Sequence, residues 1–177
     1  PNELFALTAA GENKWKYEAR HGPPREHREL HFTQPVVSGE TVYVPVTESI
    51  AQTSESTGVP PEDTWINAVS TSDGTREWAR RVPGKPDGRL TVSDGTLYFP
   101  GGYDDGSAFL QALSASDGSE RWRVDFPNRV SSVAVNRSTV FVTSENWERG
   151  NAKIYAFSKA DGSQEWSHET NERLIDL

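Results

Sequence analysis

A short pattern that ends in tryptophan recurs along the chain and limits the possible folds more than any other feature. It reads INAVSTSDGTREW at residues 66–78, LQALSASDGSERW at 110–122 and IYAFSKADGSQEW at 154–166. Residues 4–15, LFALTAAGENKW, carry the pattern one residue short. Recurrence in this form is the mark of a repeat architecture.

Each copy predicts a β-hairpin, because alternating apolar residues lead into a glycine turn and a second strand runs to the tryptophan. A β-branched hairpin precedes three of the copies, as PVVSGETVYVP at 35–45, LTVSDGTLYFP at 90–100 and VAVNRSTVFVT at 133–143. Two hairpins make a four-stranded antiparallel sheet of roughly 40 to 45 residues, the size of a β-propeller blade. We therefore predict an all-β propeller segment with little helix.

The repeats predict a single domain over residues 1–177 with about 3.5 to 4 blades. We assign a half blade to residues 4–19, blades to 32–81, 88–124 and 129–168, and a tail or the start of a next blade to 169–177. The segment begins in the middle of a blade, so we expect it to be part of a larger ring. Its open blade edges should need a protein partner or a second copy.

Unequal spacing of the tryptophans indicates where loops are inserted. The last three are 44 residues apart, whereas 63 residues separate Trp15 from Trp78. The extra residues fall before Val42 and within residues 48–63. They join the fourth strand of one blade to the first of the next, and the second strand to the third. In an up-and-down sheet both connections lie at one end, which suggests a site there; tolerated insertion without a role is the alternative.

The same end should carry the loops GGYDDG at 101–106 and ENWER at 145–149. An aromatic side chain beside acidic and amide groups suits a sugar, a peptide or a cation. The alternative is that the loop tryptophan simply covers a blade edge. No Ser/His/Asp arrangement or phosphate-binding loop stands out, so we assign no catalytic residue. The candidate binding residues are Tyr103, Asp104, Asp105, Glu145, Asn146, Trp147 and Arg149.

The repeated residues are expected to be structural. A tryptophan packed flat between blades removes on the order of 150 to 250 Å² from water, or at most about 4 to 6 kcal/mol. Asp73, Asp117 and Asp161 stand before turn glycines without the run of acids of a calcium loop, so we interpret them as turn residues. The structural set is Trp15, Trp78, Trp122, Trp166, Gly11, Gly74, Gly118 and Gly162.

Residues 20–30, RHGPPREHREL, are predicted to form a loop because of their proline pair and mixed charges. His21, His27 and His31 lie in or beside it. Their spacing does not force three ligands to converge, so a solvated loop is expected and a zinc site is the alternative. We assign no metal site.

The repeat resembles the tryptophan-docking motif of the quinoprotein (pyrroloquinoline quinone, PQQ) β-propellers, roughly A-x-D-x-x-T-G-x-x-x-W. That superfamily includes PQQ-dependent alcohol dehydrogenases and the non-enzymatic scaffold of the bacterial outer-membrane assembly machine. Alanine, glycine and tryptophan match in every copy. The motif aspartate is replaced by Thr8, Ser70, Ser114 and Ser158, and its threonine by aspartate in three copies.

The resemblance implies two functions. One is a non-catalytic scaffold that binds a protein or a small ligand, and the alternative is a fragment of a PQQ-dependent alcohol or sugar dehydrogenase that uses PQQ with calcium. The dehydrogenases of the family typically clamp PQQ between a tryptophan and a disulfide of adjacent cysteines. This chain has no cysteine, and neither calcium ligands nor a catalytic aspartate can be matched. We favour the scaffold and expect no cofactor.

The amino-acid composition limits the classes of partner that the chain can bind. A net charge of −8 and a pI near 5.0 disfavour binding to nucleic acid. The apolar runs are too short for a membrane-spanning helix. We expect a domain at the cell surface or outside the cell, and its acid-rich, lysine-poor composition also fits a high-salt environment.

Overall fold

The computed structural model describes residues 3–19, 28–50, 63–146 and 150–170, and these residues form β-strands without a helix. No helix in this part of the chain therefore has the length and hydrophobicity to cross a membrane. The strands are β1 (Glu3–Leu7), β2 (Asn13–Glu18), β3 (Arg28–Phe32), β4 (Val36–Ser38), β5 (Thr41–Ile50), β6 (Asp63–Ser70), β7 (Arg76–Val82), β8 (Lys85–Pro86), β9 (Thr91–Ser93), β10 (Thr96–Gly102), β11 (Ala108–Ser114), β12 (Glu120–Phe126), β13 (Arg129–Val135), β14 (Thr139–Asn146), β15 (Asn151–Ser158) and β16 (Gln164–Thr170).

The strands form four sheets that follow the chain in order. Sheet 1 is β1–β2, sheet 2 is β3–β5–β6–β7 with β4 also pairing β5, and sheet 4 is β13–β14–β15–β16. Sheet 3 has the order β12–β11–β10–β8, with β9 also pairing β10. The chain divides into two compact units, Pro1–Lys85 with sheets 1 and 2, and Pro86–Leu177 with sheets 3 and 4. The predicted all-β fold of propeller-type blades is confirmed.

The hairpins that end in tryptophan share one geometry. In each, the tryptophan lies opposite the repeated alanine, as in Ala68↔Trp78, Ala112↔Trp122 and Ala156↔Trp166. The register shifts immediately after that alanine. A methyl group opposite an indole leaves room for the ring, which explains why so small a residue recurs there.

The repeated aspartates hold their own turns. The Oδ1 atom of Asp117 accepts hydrogen bonds from the backbone N–H of Ser119 at 3.0 Å and from its hydroxyl at 2.7 Å. Asp73 and Asp161 make the equivalent bonds. These bonds, with that from the backbone N–H the largest cause, hold the pKa of each carboxyl below its usual value. The interpretation of these aspartates as turn residues is confirmed.

In the first unit, sheet 1 packs against the valines of sheet 2. Trp15 lies over Gly74, where a Cβ would stand 2.9 Å from the indole, and its Nε1–H donates to the carbonyl of Thr71 at 2.9 Å. The hydroxyl of Tyr17 donates to Oδ1 of the fully buried Asn67 at 2.9 Å. The buried apolar residues of this core are Tyr17, Ala19, Val42, Val44, Val46 and Val69.

In the second unit, one face of sheet 3 packs on sheet 4. Trp122 is 7% exposed and lies over Gly162, where a Cβ would stand 2.7 Å from the ring. Its Nε1–H donates to the carbonyl of Lys159 at 3.2 Å. Gly162 has φ +73°, so glycine is required there both for the backbone conformation and for the contact. The core includes Tyr98, Leu110, Trp122, Val140, Val142 and Phe157.

The structure adds to the sequence predictions at two places, residues 28–30 and residues 48–63. Residues 28–30, predicted as part of a loop, lie in β3, which pairs with β5 from Arg28↔Ile50 to Phe32↔Val46. Leu30 and Phe32 drive this pairing, since both pack against the first core. The insertion at 48–63 partly lengthens the β5–β6 hairpin, which pairs as far as Glu48↔Asp63; residues 51–62 lie outside the described residues.

The exposure of the four repeated tryptophans differs. Trp122 is buried and Trp15 and Trp78 are partly buried, but Trp166 is 46% exposed. Trp166 was expected to lie between blades like the others. Among the described strands none follows β16, so no described sheet covers its indole.

Candidate functional site

One end of the second unit, which we call the loop end, carries the connections between β10 and β11 (residues 103–107) and between β12 and β13 (residues 127–128). The end of β14 and the start of β15 lie at the same end. The hydroxyl of Ser144, near the end of β14, donates to the carbonyl of Asn128 at 3.2 Å. Residues 127 and 128 also line one pocket with residues at the adjoining ends of β14 and β15. The sequence predicted that connections between blades and connections between the second and third strands lie at the same end of a blade. In the second unit they do.

A pocket of about 180 Å³ opens at the loop end. Residues 127 and 128 supply one side, and the ends of β14, β15 and β16 supply the other. Its volume suits a side chain or a short segment of backbone rather than a large cofactor. The pocket is lined by Pro127, Asn128, Ser144, Asn146, Asn151, Ala152, Lys153, Tyr155 and Glu169.

The pocket combines an aromatic surface with one cation and one anion. Lys153 pairs in register with Glu169 on the neighbouring strand, and its Nζ lies 5.1 Å from the centroid of the Tyr155 ring. Burial, and then the negative charge of Glu169, raises the pKa of the Tyr155 hydroxyl. The edge of the same ring meets Phe126, with centroids 5.2 Å apart, so the hydrophobic core holds the tyrosine in place.

Three asparagines add groups that both donate and accept hydrogen bonds. Asn146 and Asn151 are register partners at the ends of β14 and β15, and Asn128 lines the pocket with them. A side-chain amide offers a carbonyl acceptor and two N–H donors, so it can pair with both the N–H and the C=O of a peptide group. The combination fits polypeptide backbone with a charged or polar side chain.

Tyr103, a predicted site residue, is held in a fixed orientation by its own sheet. Its ring lies 5.4 Å from that of Phe109, and its hydroxyl accepts a hydrogen bond from Nη2 of Arg123 at 2.8 Å. The guanidinium of Arg123 also lies over Phe109, 4.3 Å from the ring centroid. Tyr103 nevertheless stays 38% exposed, so a fixed aromatic ring is available at the loop end.

The acidic residues predicted with Tyr103 have separate roles. Asp105 accepts from the backbone N–H and the hydroxyl of Ser107, and these bonds, the hydroxyl's first, lower the pKa of its carboxyl. Asp104 is exposed in the same turn. Glu145 is 8% exposed in β14, opposite Arg129. A binding role for these three acidic residues stays a prediction.

An ion pair joins sheets 3 and 4 at the loop end. Nε of Arg129 donates to Oδ1 of Asp87 at 2.7 Å, and Nη2 bonds the same oxygen. The side chain of Asp87 is 5% exposed and that of Arg129 is 61% exposed. Gly102 leaves the space that the aspartate occupies, since a Cβ there would lie 3.1 Å from the carboxyl. The two partners are 42 residues apart, and no sequence pattern links them.

Trp147 and Arg149, also predicted for the site, lie outside the described residues. Asn146 lines the pocket as a predicted residue. Sequence reasoning missed Lys153, Tyr155 and Glu169. A usable signal existed for two of them, because strand alternation places residues 151, 153 and 155 on one face of β15, continuous with the predicted loop.

The described residues bear on the predictions about calcium and zinc. Within them no three His, Cys, Asp or Glu side chains come together in a way that holds a metal ion. Of the three histidines of the zinc alternative, His31 is exposed, with Nε2 3.8 Å from a carboxylate oxygen of Glu29. His21 and His27 lie outside the described part, so this alternative stays untested. The indoles of Trp15 and Trp122 are already packed on glycine turns.

Comparison with known proteins agrees with the fold. A family model described as outer membrane protein assembly factor BamB matches residues 62–176. The crystal structure of BamB from Moraxella catarrhalis superposes with a TM-score of 0.58 at 15% identity, covering 89% of this chain and 40% of that one. The quinohemoprotein alcohol dehydrogenase ADHIIG from Pseudomonas putida HK5 gives 0.50 at 12% identity, covering 78% and 34%. No curated protein matches the chain.

Proposed function

The chain belongs to the PQQ-repeat family described as outer membrane protein assembly factor BamB, and on that premise we propose that it is a non-catalytic scaffold that binds a protein partner through the loop end of its second unit. It spans 40% of the length of the BamB structure, so this proposal concerns the segment and not a complete protein. The ligand we assign is an extended polypeptide segment with a polar or charged side chain.

The observation that carries the proposal is the pocket at the loop end. Its three asparagines match the hydrogen-bonding groups of a peptide, and Lys153 beside Glu169 offers a partner for a side chain of either charge. Tyr103 supports it, because a rigid, partly exposed aromatic ring loses little conformational entropy on binding. Protein–protein contacts are enriched in such aromatic anchors.

The test uses a phage-displayed library of random dodecapeptides selected on the immobilised 177-residue chain. Affinity of the selected peptides is then measured by isothermal titration calorimetry. We expect Asn146→Ala and Lys153→Ala each to weaken binding about tenfold, equivalent to about 1.4 kcal/mol. Both residues are partly exposed, so the fold should survive the changes.

The matched control is Arg137→Ala. It removes one positive charge, as Lys153→Ala does, but from the exposed turn between β13 and β14 at the opposite end of sheet 4. It should leave affinity unchanged. Peptides that bind the two pocket variants as tightly as the parent chain would show that the pocket is not the binding site.

The alternative, a PQQ-dependent dehydrogenase fragment, is tested directly. Because the described residues do not gather ligands for calcium, we propose that the chain binds no cofactor. Titration with PQQ and calcium should leave the absorbance spectrum of PQQ unperturbed and support no dye reduction with an alcohol. A saturable spectral change would overturn this.

We also propose a location at the cell surface or outside the cell. The support is the family description, which names assembly of outer membrane proteins. Fractionation of cells that carry the native gene, followed by detection with an antibody against this segment, should find it in the envelope or the medium. Recovery in the cytosol would contradict the proposal.

A further inference from the structure

The pocket at the loop end lies between two sheets that both belong to the second unit. The ring of Tyr155 in sheet 4 meets that of Phe126 in sheet 3, so Tyr155 projects from the face of sheet 4 that packs on sheet 3. Lys153 projects from the same face, because residues two apart in a strand share a face. Its register partner Glu169 lies beside it on β16. The pocket is therefore formed at the contact between sheets 3 and 4, and the opposite face of sheet 4 has no part in it.

The two charges of the pocket differ in their surroundings. Lys153 is partly buried, whereas Glu169 is exposed to solvent. The ammonium of Lys153 lies over the ring of Tyr155, and no hydrogen bond or ion pair joins it to any described residue, although Glu169 stands opposite in register. A charge partly removed from water attracts a counter-ion more strongly than an exposed charge does. The charge of the pocket that lacks a counter-ion is therefore positive.

Neutral donors surround this cation. The side-chain amides of Asn128 and Asn151 are partly buried and bond no described residue, and each carries two N–H groups. Hydrogen bonds from an ammonium or an amide to a carboxylate are charge-assisted and roughly twice as strong as those between neutral groups. A cationic side chain of a ligand, by contrast, would be repelled by Lys153, which already occupies the face of the Tyr155 ring. These donors favour an anionic group in the ligand.

We propose that the pocket selects a carboxylate in its peptide ligand, with Lys153 as the ion-pair partner and the amides of Asn128 and Asn151 bonding the peptide groups beside it. This inference rests on the proposed function, which places a polypeptide in the pocket without deciding its charge. The carboxylate comes from an acidic side chain or from a free C-terminus. Because the net charge of −8 repels acidic segments at a distance, we expect one carboxylate in an otherwise uncharged segment.

Two peptide libraries selected on the immobilised 177-residue chain provide the probes. One is the dodecapeptide library described above, displayed so that every peptide continues into the coat protein and has no free C-terminus. The other displays its peptides with a free C-terminus. We expect the first library to enrich aspartate or glutamate at one position if side chains are bound. Enrichment in the second library alone, with loss of binding on C-terminal amidation, would assign the carboxylate to chain ends.

A double-mutant cycle then tests the ion pair by isothermal titration calorimetry. Replacing the selected carboxylate of a synthetic peptide by its amide should weaken binding to the parent chain about tenfold. The same replacement should change binding to the Lys153→Gln variant less than about twofold, because the coupling requires both charges. Lys153→Gln keeps a polar side chain of similar reach at a partly exposed position, so the fold should tolerate it.

The matched control is Glu169→Gln, which removes the other charge of the pocket. It should leave affinity for the peptide acid unchanged or raise it up to about threefold, because a repelling charge is lost. Selected peptides that carry lysine or arginine and lose affinity with Glu169→Gln would overturn the inference.

Failure of the inference and failure of the proposed function are distinguishable. Peptides that lose affinity with Asn146→Ala but bind equally well with the acid or its amide would leave peptide binding at the pocket in place and reject carboxylate selection. Peptides that bind every pocket variant as tightly as the parent chain would reject both.

Discussion

Replacing Gly162 by alanine tests the docking contact that defines the repeat. The residue has φ +73°, and an added methyl would stand 2.7 Å from Cδ2 of Trp122. Two separate costs follow. The backbone conformation disfavours any L side chain, and the methyl forces the indole away from the turn.

The cost can be divided between these two effects. A left-handed conformation costs alanine roughly 1 to 2 kcal/mol. Displacing the indole stretches its 3.2 Å hydrogen bond to the carbonyl of Lys159, a bond worth about 0.5 to 1.5 kcal/mol, and loses packing contacts as well. We expect Gly162→Ala to lower the free energy of unfolding by about 2 to 4 kcal/mol in total.

Gly95→Ala is the matched control. Gly95 lies in the same unit with φ +70°, but a Cβ there would have nothing within 4 Å. It should cost only the backbone part, about 1 to 2 kcal/mol. Urea unfolding followed by far-UV circular dichroism gives both values, and in a Trp122→Ala background the two substitutions should cost the same. Equal costs in the parent chain would refute the docking explanation.

Three further predictions concern single positions. Leu113→Ala should destabilise by about 2 to 5 kcal/mol in thermal or urea unfolding, whereas Leu7→Ala, at the equivalent but 61% exposed position, should cost less than about 0.5 kcal/mol in dilute solution. Tyr17→Phe should cost about 1 to 3 kcal/mol, because it removes the donor to the buried Asn67 carbonyl; an unchanged urea midpoint would contradict this. Hydrogen bonds from Ser163 hold the pKa of the Asp161 carboxyl below its usual value in the folded state, so its stabilisation is complete above about pH 5 and is lost as pH falls through the folded pKa. Melting temperatures from about pH 5 to 2.5 should therefore fall less steeply for Asp161→Asn, and parallel curves would disprove the linkage.

The strand pattern was predictable because it depends on local chemistry. Alternation of apolar residues, β-branched runs and glycine turns placed both hairpin types, and all of those that lie in the described residues are present. The exception, β3, begins in a charged proline-rich segment. Leu30 and Phe32 are too few to show a period, and only pairing with the long β5 makes them a strand.

The candidate site was only partly predictable. The loop end followed from the up-and-down order of the strands, which places both types of connection at one end of a blade, and Tyr103 and Asn146 lie there. Lys153, Tyr155 and Glu169 were missed because they lie within strands, where the pattern indicates only sheet. The Asp87–Arg129 pair spans 42 residues and two sheets, so no local signal marks it.

The sequence by itself determined the repeat, the hairpins, the docking glycines and the family resemblance, because each depends on residues a few positions apart. Only the tertiary structure decided which equivalent positions are buried. Leu7 and Leu113 occupy the same place in the repeat, and Trp122 and Trp166 do likewise, yet one of each pair is covered and the other exposed. Burial depends on the neighbouring sheet, and a repeat unit does not specify its neighbour.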